Sequence, residues 1–329
     1  MRPTSLEGAG TKGRKPRPPW FLRQTAALAV VLSLASCVEG EPEPAPEPSQ
    51  PEAAAPAALS AAPSWEPSAA EPEPLLKRRA ADAALAFVNY ALGTTPEEVA
   101  GSVGIPITDV VSELIDPASE SRGRVVYAQF VGVLPSSASV TVLVEQSRRG
   151  SGGEEETDTR SIDIRLVRDG DDWRVSELAA VGGPPVERPG TLAEEARAVV
   201  GHPRIHLPSS ARWDIYRGDV HPELLRVIAE TAQRHEIQVL TFVTGRPRFV
   251  FGTGVPSHHA RGWAVDIYAV DGVPVVEQRA AGSPAHRLAT WLHDQGVHEI
   301  GSPWELDGPG GRSFTDASHQ DHIHVAVAP

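Results

Sequence analysis

Apolar positions divide the chain into helical and extended segments. Over residues 76–92, Ala84, Leu85, Val88 and the run Tyr90-Ala91-Leu92 supply the apolar side of an amphipathic helix. A shorter helical region is expected within 96–115. The pattern then becomes strand-like over 124–133, 139–146, 160–168 and 173–178, and Asp169-Gly170 predicts a hairpin turn between the last two. Residues 148–158, rich in Gly and Glu, read as a mobile loop. The run Gly182-Gly183-Pro184-Pro185 marks a boundary. Beyond it, helices over 191–200, 221–235 and 285–295 are interspersed with strands over 202–207, 237–243, 263–268, 298–300 and 322–327. Thr191 and Glu194 have the spacing of a capping box.

This order of elements predicts an α+β chain with two folded parts. Residues 75–188 form a smaller N-terminal α+β domain. Residues 189–329 form a domain of helices packed on a small, mainly antiparallel sheet. A helix followed by a curved antiparallel sheet makes the N-terminal part similar to cystatin or nuclear-transport-factor-like folds. No catalytic constellation is apparent within it, so spacing or contact with a protein partner is its expected role.

Composition adds a compartment. The chain has 329 residues and a formal net charge of -13, which argues against a nucleic-acid partner because phosphate binding needs clustered Lys and Arg. Its single cysteine, Cys37, excludes an internal disulfide framework. Lys12, Arg14, Lys15, Arg17 and Arg23 precede an apolar stretch over 25–35 that is too short to span a bilayer comfortably. That stretch runs into Leu34-Ala35-Ser36-Cys37, which resembles a bacterial lipobox. The resemblance implies a signal peptide over 1–36, a lipid on Cys37, and a tether to the outer face of the cytoplasmic membrane. Residues 38–74 are rich in Pro, Glu, Ala and Ser and should form an extended linker.

The densest candidate chemistry lies in Ser257-His258-His259-Ala260-Arg261-Gly262-Trp263-Ala264-Val265-Asp266 and in the tail His319-Gln320-Asp321-His322-Ile323-His324. Asp266 falls on an expected strand, and Gly262 permits a sharp entry into it. His322 and His324, two apart on the last strand, project to one face. Were the two strands neighbours, His259, Asp266 and one of those histidines would converge as three ligands with a fourth position open, the pattern of a catalytic zinc. His258, out of register with that spacing, reads as a rim residue. Trp304 and Glu305 could wall the cleft, whereas Asp307 and Asp316 read as turn residues.

The two motif halves, Ser257-x-His259-x-x-Gly262-x-Ala264-x-Asp266 and His322-Ile323-His324, together resemble a zinc-peptidase family. That family groups lysostaphin-type endopeptidases, D-alanyl-D-alanine carboxypeptidases and dipeptidases, and hedgehog N-terminal domains. The resemblance implies zinc on His259, Asp266 and His324, with His322 as base or transition-state contact. It also implies an active-site role for His319, as in the murein endopeptidase branch. An arginine before the first motif would hold substrate, with Arg246 and Arg248 as candidates. The dipeptidase branch carries a glutamate base where this chain has Asp321, and a regular strand would point Asp321 away from His322 and His324. With the compartment, the resemblance implies a hydrolase of peptidoglycan stem peptides or cross-links. A non-catalytic cell-wall or protein-binding module is the alternative.

Overall fold

The computed structural model describes residues 65–328. The expected signal peptide, Cys37 and the linker up to residue 64 lie outside the described residues. The described residues belong to one compact unit, and they fold as α+β.

The N-terminal part opens with α1 (Pro74–Val88), α2 (Pro96–Val103) and α3 (Asp109–Leu114). Pro74 starts α1, where a missing amide hydrogen costs nothing. Thr95 and Glu98 close a reciprocal capping box on α2, and Gly104 ends that helix in the left-handed region. Four antiparallel strands follow in sequential order: β1 (Ser119–Val133), β2 (Ser137–Gly150), β3 (Glu155–Asp169) and β4 (Asp172–Ala180). The Asp-Gly turn forms between β3 and β4, with Gly170 at φ 62°.

Two expectations need correction in this part. Residues 148–158 are not a loop: β2 runs to Gly150 and β3 starts at Glu155, with Arg149 opposite Glu155. Cross-strand pairs from Arg148 to Asp158 (3.0 Å) and from Arg149 to Glu155 (3.1 Å) hold the charged ends together. Residues 65–73 of the expected linker also pack on the body. Trp65 rests against the N-terminal core, Glu71 is buried against Lys77, and Arg279 donates to the Ala70 carbonyl at 2.7 Å.

The C-terminal part comprises α4 (Glu194–Val200), β5 (Ile205–His206), α5 (Ser209–Arg217), α6 (Pro222–Thr231), β6 (Ile237–Thr241), β7 (Ala264–Val270), β8 (Val273–Pro274), α7 (Pro284–Asp294), β9 (Glu299–Gly301), β10 (Ser313–Phe314) and β11 (Ile323–Ala326). The sheet order is β10-β9-β11-β7-β6-β5, with β8 paired to β7. The outermost pairs, β10/β9 and β5/β6, are parallel and the rest antiparallel. Leu224, Leu225 and Ile228 of α6 and Leu288 and Leu292 of α7 share a core with Val265, Ile267, Ile323 and Val325 of the central strands. The capping box at Thr191 does not form: α4 begins at Glu194 with Ala193 as its uncapped N-cap, too far along for Thr191 to reach the first amides. Helix α5 was not anticipated, because only Trp213 and Ile215 of its large apolar residues are buried and its polar Asp214 points inward.

Both faces of the N-terminal sheet are buried. Ala128 and Phe130 of β1, Val140 and Val142 of β2, and Ile162 and Ile164 of β3 pack under the helices. On the opposite face, Tyr127, Gln129, Ser139, Thr141, Leu143, Ser161 and Asp163 are buried as well. That face meets β6 and β7. Tyr127 stacks on Tyr268 with ring centroids 4.7 Å apart, and both share a small core with Leu143 and Leu240. Ser161 donates to the Leu240 carbonyl at 2.8 Å, and Thr141 to the Gly245 carbonyl at 3.2 Å. The strand that carries Asp266 therefore lies against the N-terminal sheet.

Candidate metal centre

Strands β7 and β11 are hydrogen-bonded neighbours, and their register puts His324 directly opposite Asp266. Residues opposed in an antiparallel pair project to the same face with Cβ atoms roughly 5 Å apart. His259 arrives from a single 3-10 turn, His259–Arg261, that ends at Gly262 with φ 72°. No side chain fits there: a Cβ on Gly262 would lie 1.8 Å from the Asp219 carbonyl oxygen. Gly262 thus turns the chain tightly enough to bring His259 back over the start of β7.

Three donor atoms meet at this point. His259 Nε2 is 3.1 Å from Asp266 Oδ1 and 3.2 Å from His324 Nδ1, and His324 Nδ1 is 3.0 Å from the same Asp266 oxygen. Tetrahedral ligands about 2.05 Å from zinc would stand about 3.3 Å apart. The described residues therefore contain a buried His/His/Asp group that could hold a metal ion.

The tautomers favour a cation between these atoms. His259 Nδ1 lies 2.5 Å from the Phe242 carbonyl, which can only accept, so Nδ1 carries the hydrogen and Nε2 presents a lone pair. Asp266 Oδ1 presents a second. Burial keeps the His259 imidazole neutral, pulling its pKa down to about 4. Burial opposes the charge on Asp266, but Arg246 and His259 hold its carboxyl well below the usual range. For His324 burial is again unfavourable, yet Asp266 and Glu299 outweigh it and raise its pKa to about 9. A proton on His324 thus satisfies Asp266 without a metal, and a metal ion would displace that proton. Glu299 Oε1, 3.4 Å from His324 Nε2, keeps that outer nitrogen protonated and so presents Nδ1 to the site.

Of the two candidate arginines, only Arg246 enters the site. Its Nη2 pairs with Asp266 Oδ2, while buried Nε and Nη1 have no hydrogen-bond partner among the described residues. The turn before it is clamped. Buried Asp214 of α5 accepts from the Val243 and Thr244 amides at 2.9 and 3.0 Å, and a Cβ on Gly245 would come 2.7 Å from the Ser161 carbonyl oxygen of β3. The Arg248 guanidinium lies instead over the Phe249 ring, 5.5 Å from its centroid.

His322 is buried beside the cluster, its Nε2 3.8 Å from Asp266 Oδ1 and without a hydrogen-bond partner among the described residues. Its Nδ1 lies 2.6 Å from Asp321 Oδ1. The expectation that Asp321 points away from His322 is therefore overturned. The alternating pleat begins only at Ile323, so residues 321 and 322 precede it and their side chains are free to meet. His319 completes the histidine group, with its ring 4.9 Å from that of His322 and its Nδ1 2.8 Å from Asp316 Oδ1. Asp316 also accepts from the Ser318 and His319 amides, so it shapes the turn as expected and orients His319 too. Asp307 is a turn residue, accepting from the Arg312 and Ser313 amides.

A cleft of about 260 Å³ opens over the cluster. Arg246, His259, His319 and His324 line its polar side, and Phe249, Val250, Phe251, Val255 and Phe314 its apolar side. His258 and Glu299 stand at this cleft, and His258 is partly exposed, as a rim residue should be. Trp304 and Glu305 do not line it. Trp304 packs edge-on to His286 and donates to the Arg279 carbonyl, and Glu305 accepts from Ser313. Apart from Phe314 of β10, the apolar wall is a ribbon in which the Val250 amide donates to the Val255 carbonyl and the Ser257 amide to that of Arg248. Phe251 of this ribbon sits on Gly132 of β1, where a Cβ would come 2.5 Å from its ring.

The N-terminal part also reaches the cluster. Gln129 Nε2 donates to Asp266 Oδ2 at 2.6 Å. Lys77 Nζ lies 2.6 Å from Asp321 Oδ2 and also pairs with Glu71. The Phe130 amide donates to Asp321 Oδ2 at 3.0 Å, and the Tyr127 hydroxyl to the Asp321 carbonyl at 3.0 Å. No sequence motif flags these residues. Gln129 sits at an ordinary polar position of an alternating strand, and Lys77 at the start of a helix. No family model, curated protein or solved structure matches the chain.

Proposed function

We propose that the protein is a zinc-dependent peptidase of peptidoglycan stem peptides or cross-links, of D-alanyl-D-alanine carboxypeptidase or murein endopeptidase type. In this reading a lipid on Cys37 tethers it at the outer face of the cytoplasmic membrane. The observation that carries the proposal is the convergence of two imidazole nitrogens and a carboxylate oxygen at tetrahedral ligand spacing, beside a buried imidazole nitrogen with no hydrogen-bond partner among the described residues. Pure metal binding has no need of that third imidazole. The substrate class rests on the resemblance of the two motif halves and on the export signal.

His259, Asp266 and His324 would hold the zinc, which supplies Lewis acidity toward a scissile carbonyl. His322 is the general base. Asp321 takes the hydrogen of its Nδ1, so buried Nε2, 3.8 Å from Asp266 Oδ1, keeps its lone pair free to accept a proton from the attacking water and return it to the leaving amine. Arg246 offers Nε and Nη1 to a substrate carbonyl or terminal carboxylate. The apolar ribbon over the cleft excludes water from one side of the bound peptide.

The role of His322 is tested by His322→Ala. The variant should retain stoichiometric zinc and lose about 10²–10⁴-fold in kcat on muropeptides, because only the proton-transfer group is removed. Turnover equal to wild type with zinc bound would eliminate His322 as the base.

A further inference from the structure

Asp321 stands at the chain position where the dipeptidase branch carries its base, yet it is fully engaged elsewhere. Its Oδ1 meets His322 Nδ1 at 2.6 Å, and its Oδ2 receives Lys77 at 2.6 Å and the Phe130 amide at 3.0 Å. No face of this carboxylate is left for substrate. Lys77 and Asp321 have no exposed side-chain surface, and Glu71 balances the lysine's second side. An ion pair with both members this deeply buried seldom contributes net stability over an apolar replacement, so its presence calls for another role. The metal-ligating carboxylate has a parallel support, since Gln129 donates to Asp266 Oδ2 at 2.6 Å while Oδ1 faces His259 and His324. Lys77 and Gln129 come from α1 and β1, elements outside the segment that carries both motif halves.

We propose that the N-terminal domain is a working part of the active site: Lys77 positions the His322 ring through Asp321, and Gln129 positions Asp266 for the metal. The first half of this rests on the reading of His322 as the base. Lys77 and Gln129 touch neither metal nor substrate and are positioning residues. Lys77 fixes the rotamer of Asp321 from one side, and Asp321 in turn fixes the His322 ring and its Nδ1-protonated tautomer. Gln129 takes up one oxygen of Asp266 and so leaves the other for coordination. Gln129 lies on the polar face that the N-terminal sheet buries and Lys77 on α1, so the catalytic segment alone would lack both supports.

The test uses the full chain and three variants, with a fourth in reserve. Zinc affinity, measured by chelator competition, should fall about 10–100-fold in Gln129→Leu, the usual effect of removing an outer partner of a metal ligand. In Lys77→Met, zinc affinity and KM should hold while kcat falls by about 10–100-fold, and Lys77→Arg should recover part of it. In ¹⁵N spectra of histidine-labelled protein, His322 should be protonated on Nδ1 in wild type and a tautomer mixture in Lys77→Met. Should Lys77→Met fail to fold, Asp321→Asn gives the same two readouts with the lysine retained. Wild-type zinc affinity in Gln129→Leu, together with an unchanged His322 spectrum in Lys77→Met or Asp321→Asn, would overturn the proposal. Neither of these readouts needs turnover. A wild type that binds zinc but cleaves nothing would therefore overturn the peptidase reading alone.

Discussion

Asp266→Ala abolishes the zinc-dependent rise in melting temperature that the wild type should show. A ligand that binds only the folded state stabilises it by about 4 kcal/mol at a thousandfold excess over its dissociation constant. Asp266 supplies the one anionic donor in the cluster and accepts from Arg246, Gln129 and His324. Without it, two neutral imidazoles cannot hold the ion beside the Arg246 guanidinium. The metal-free variant should also be less stable than the metal-free wild type. Arg246 is almost fully buried, with 5% of its side chain exposed, and loses the carboxylate it pairs with. Breaking a buried pair by removing one partner costs about 3–5 kcal/mol. Differential scanning calorimetry with and without zinc measures both effects. A zinc response in Asp266→Ala equal to that of wild type would place the metal elsewhere.

Gly262→Ala should be the most damaging single-atom addition near the site, costing more than about 4 kcal/mol. A methyl group there would sit 1.8 Å from the Asp219 carbonyl oxygen, deep inside van der Waals contact. That oxygen belongs to the backbone just before α6 and cannot swing away as a side-chain tip could. Gly262 also holds φ 72°, which adds about 1–2 kcal/mol for any residue with a Cβ. Relief requires the 3-10 turn to move, and His259 moves with it. Urea unfolding should show the loss in stability, and zinc binding should weaken in parallel. A variant that unfolds at nearly the wild-type urea concentration and keeps its zinc would show that the turn tolerates a side chain.

The site was more legible in the sequence than its surroundings. His259, Asp266 and one of the pair His322 and His324 could be placed together because strand alternation and one glycine turn are local rules; His324 was singled out by the resemblance, and the register of β7 and β11 sets it opposite Asp266. The choice between Arg246 and Arg248 was not legible, since it depends on a turn clamped by Asp214 of α5 and by Ser161 of β3. Alternation misled at Asp321 because the pleat starts two residues later. The contribution of the N-terminal part was hidden for a different reason. Gln129, Ser139, Thr141, Ser161 and Asp163 alternate with apolar residues, as the water-facing side of an antiparallel sheet does. Only tertiary packing turns that face inward. Buried Asp163 accepts from Ser139 at 2.6 Å, a local partner that periodicity cannot reveal. The capping boxes make a similar point: both Thr95/Glu98 and Thr191/Glu194 have the motif, but the second helix starts too late to use it.

In the proposed activity the His/His/Asp cluster, loaded with zinc, hydrolyses a peptide bond of peptidoglycan. Mass spectrometry of purified muropeptides, before and after incubation with the zinc-loaded protein, tests it most directly. Zinc-dependent products shortened by a terminal residue or opened at a cross-link are expected, and none with His324→Ala. Unchanged muropeptides in the presence of one zinc per chain would contradict it.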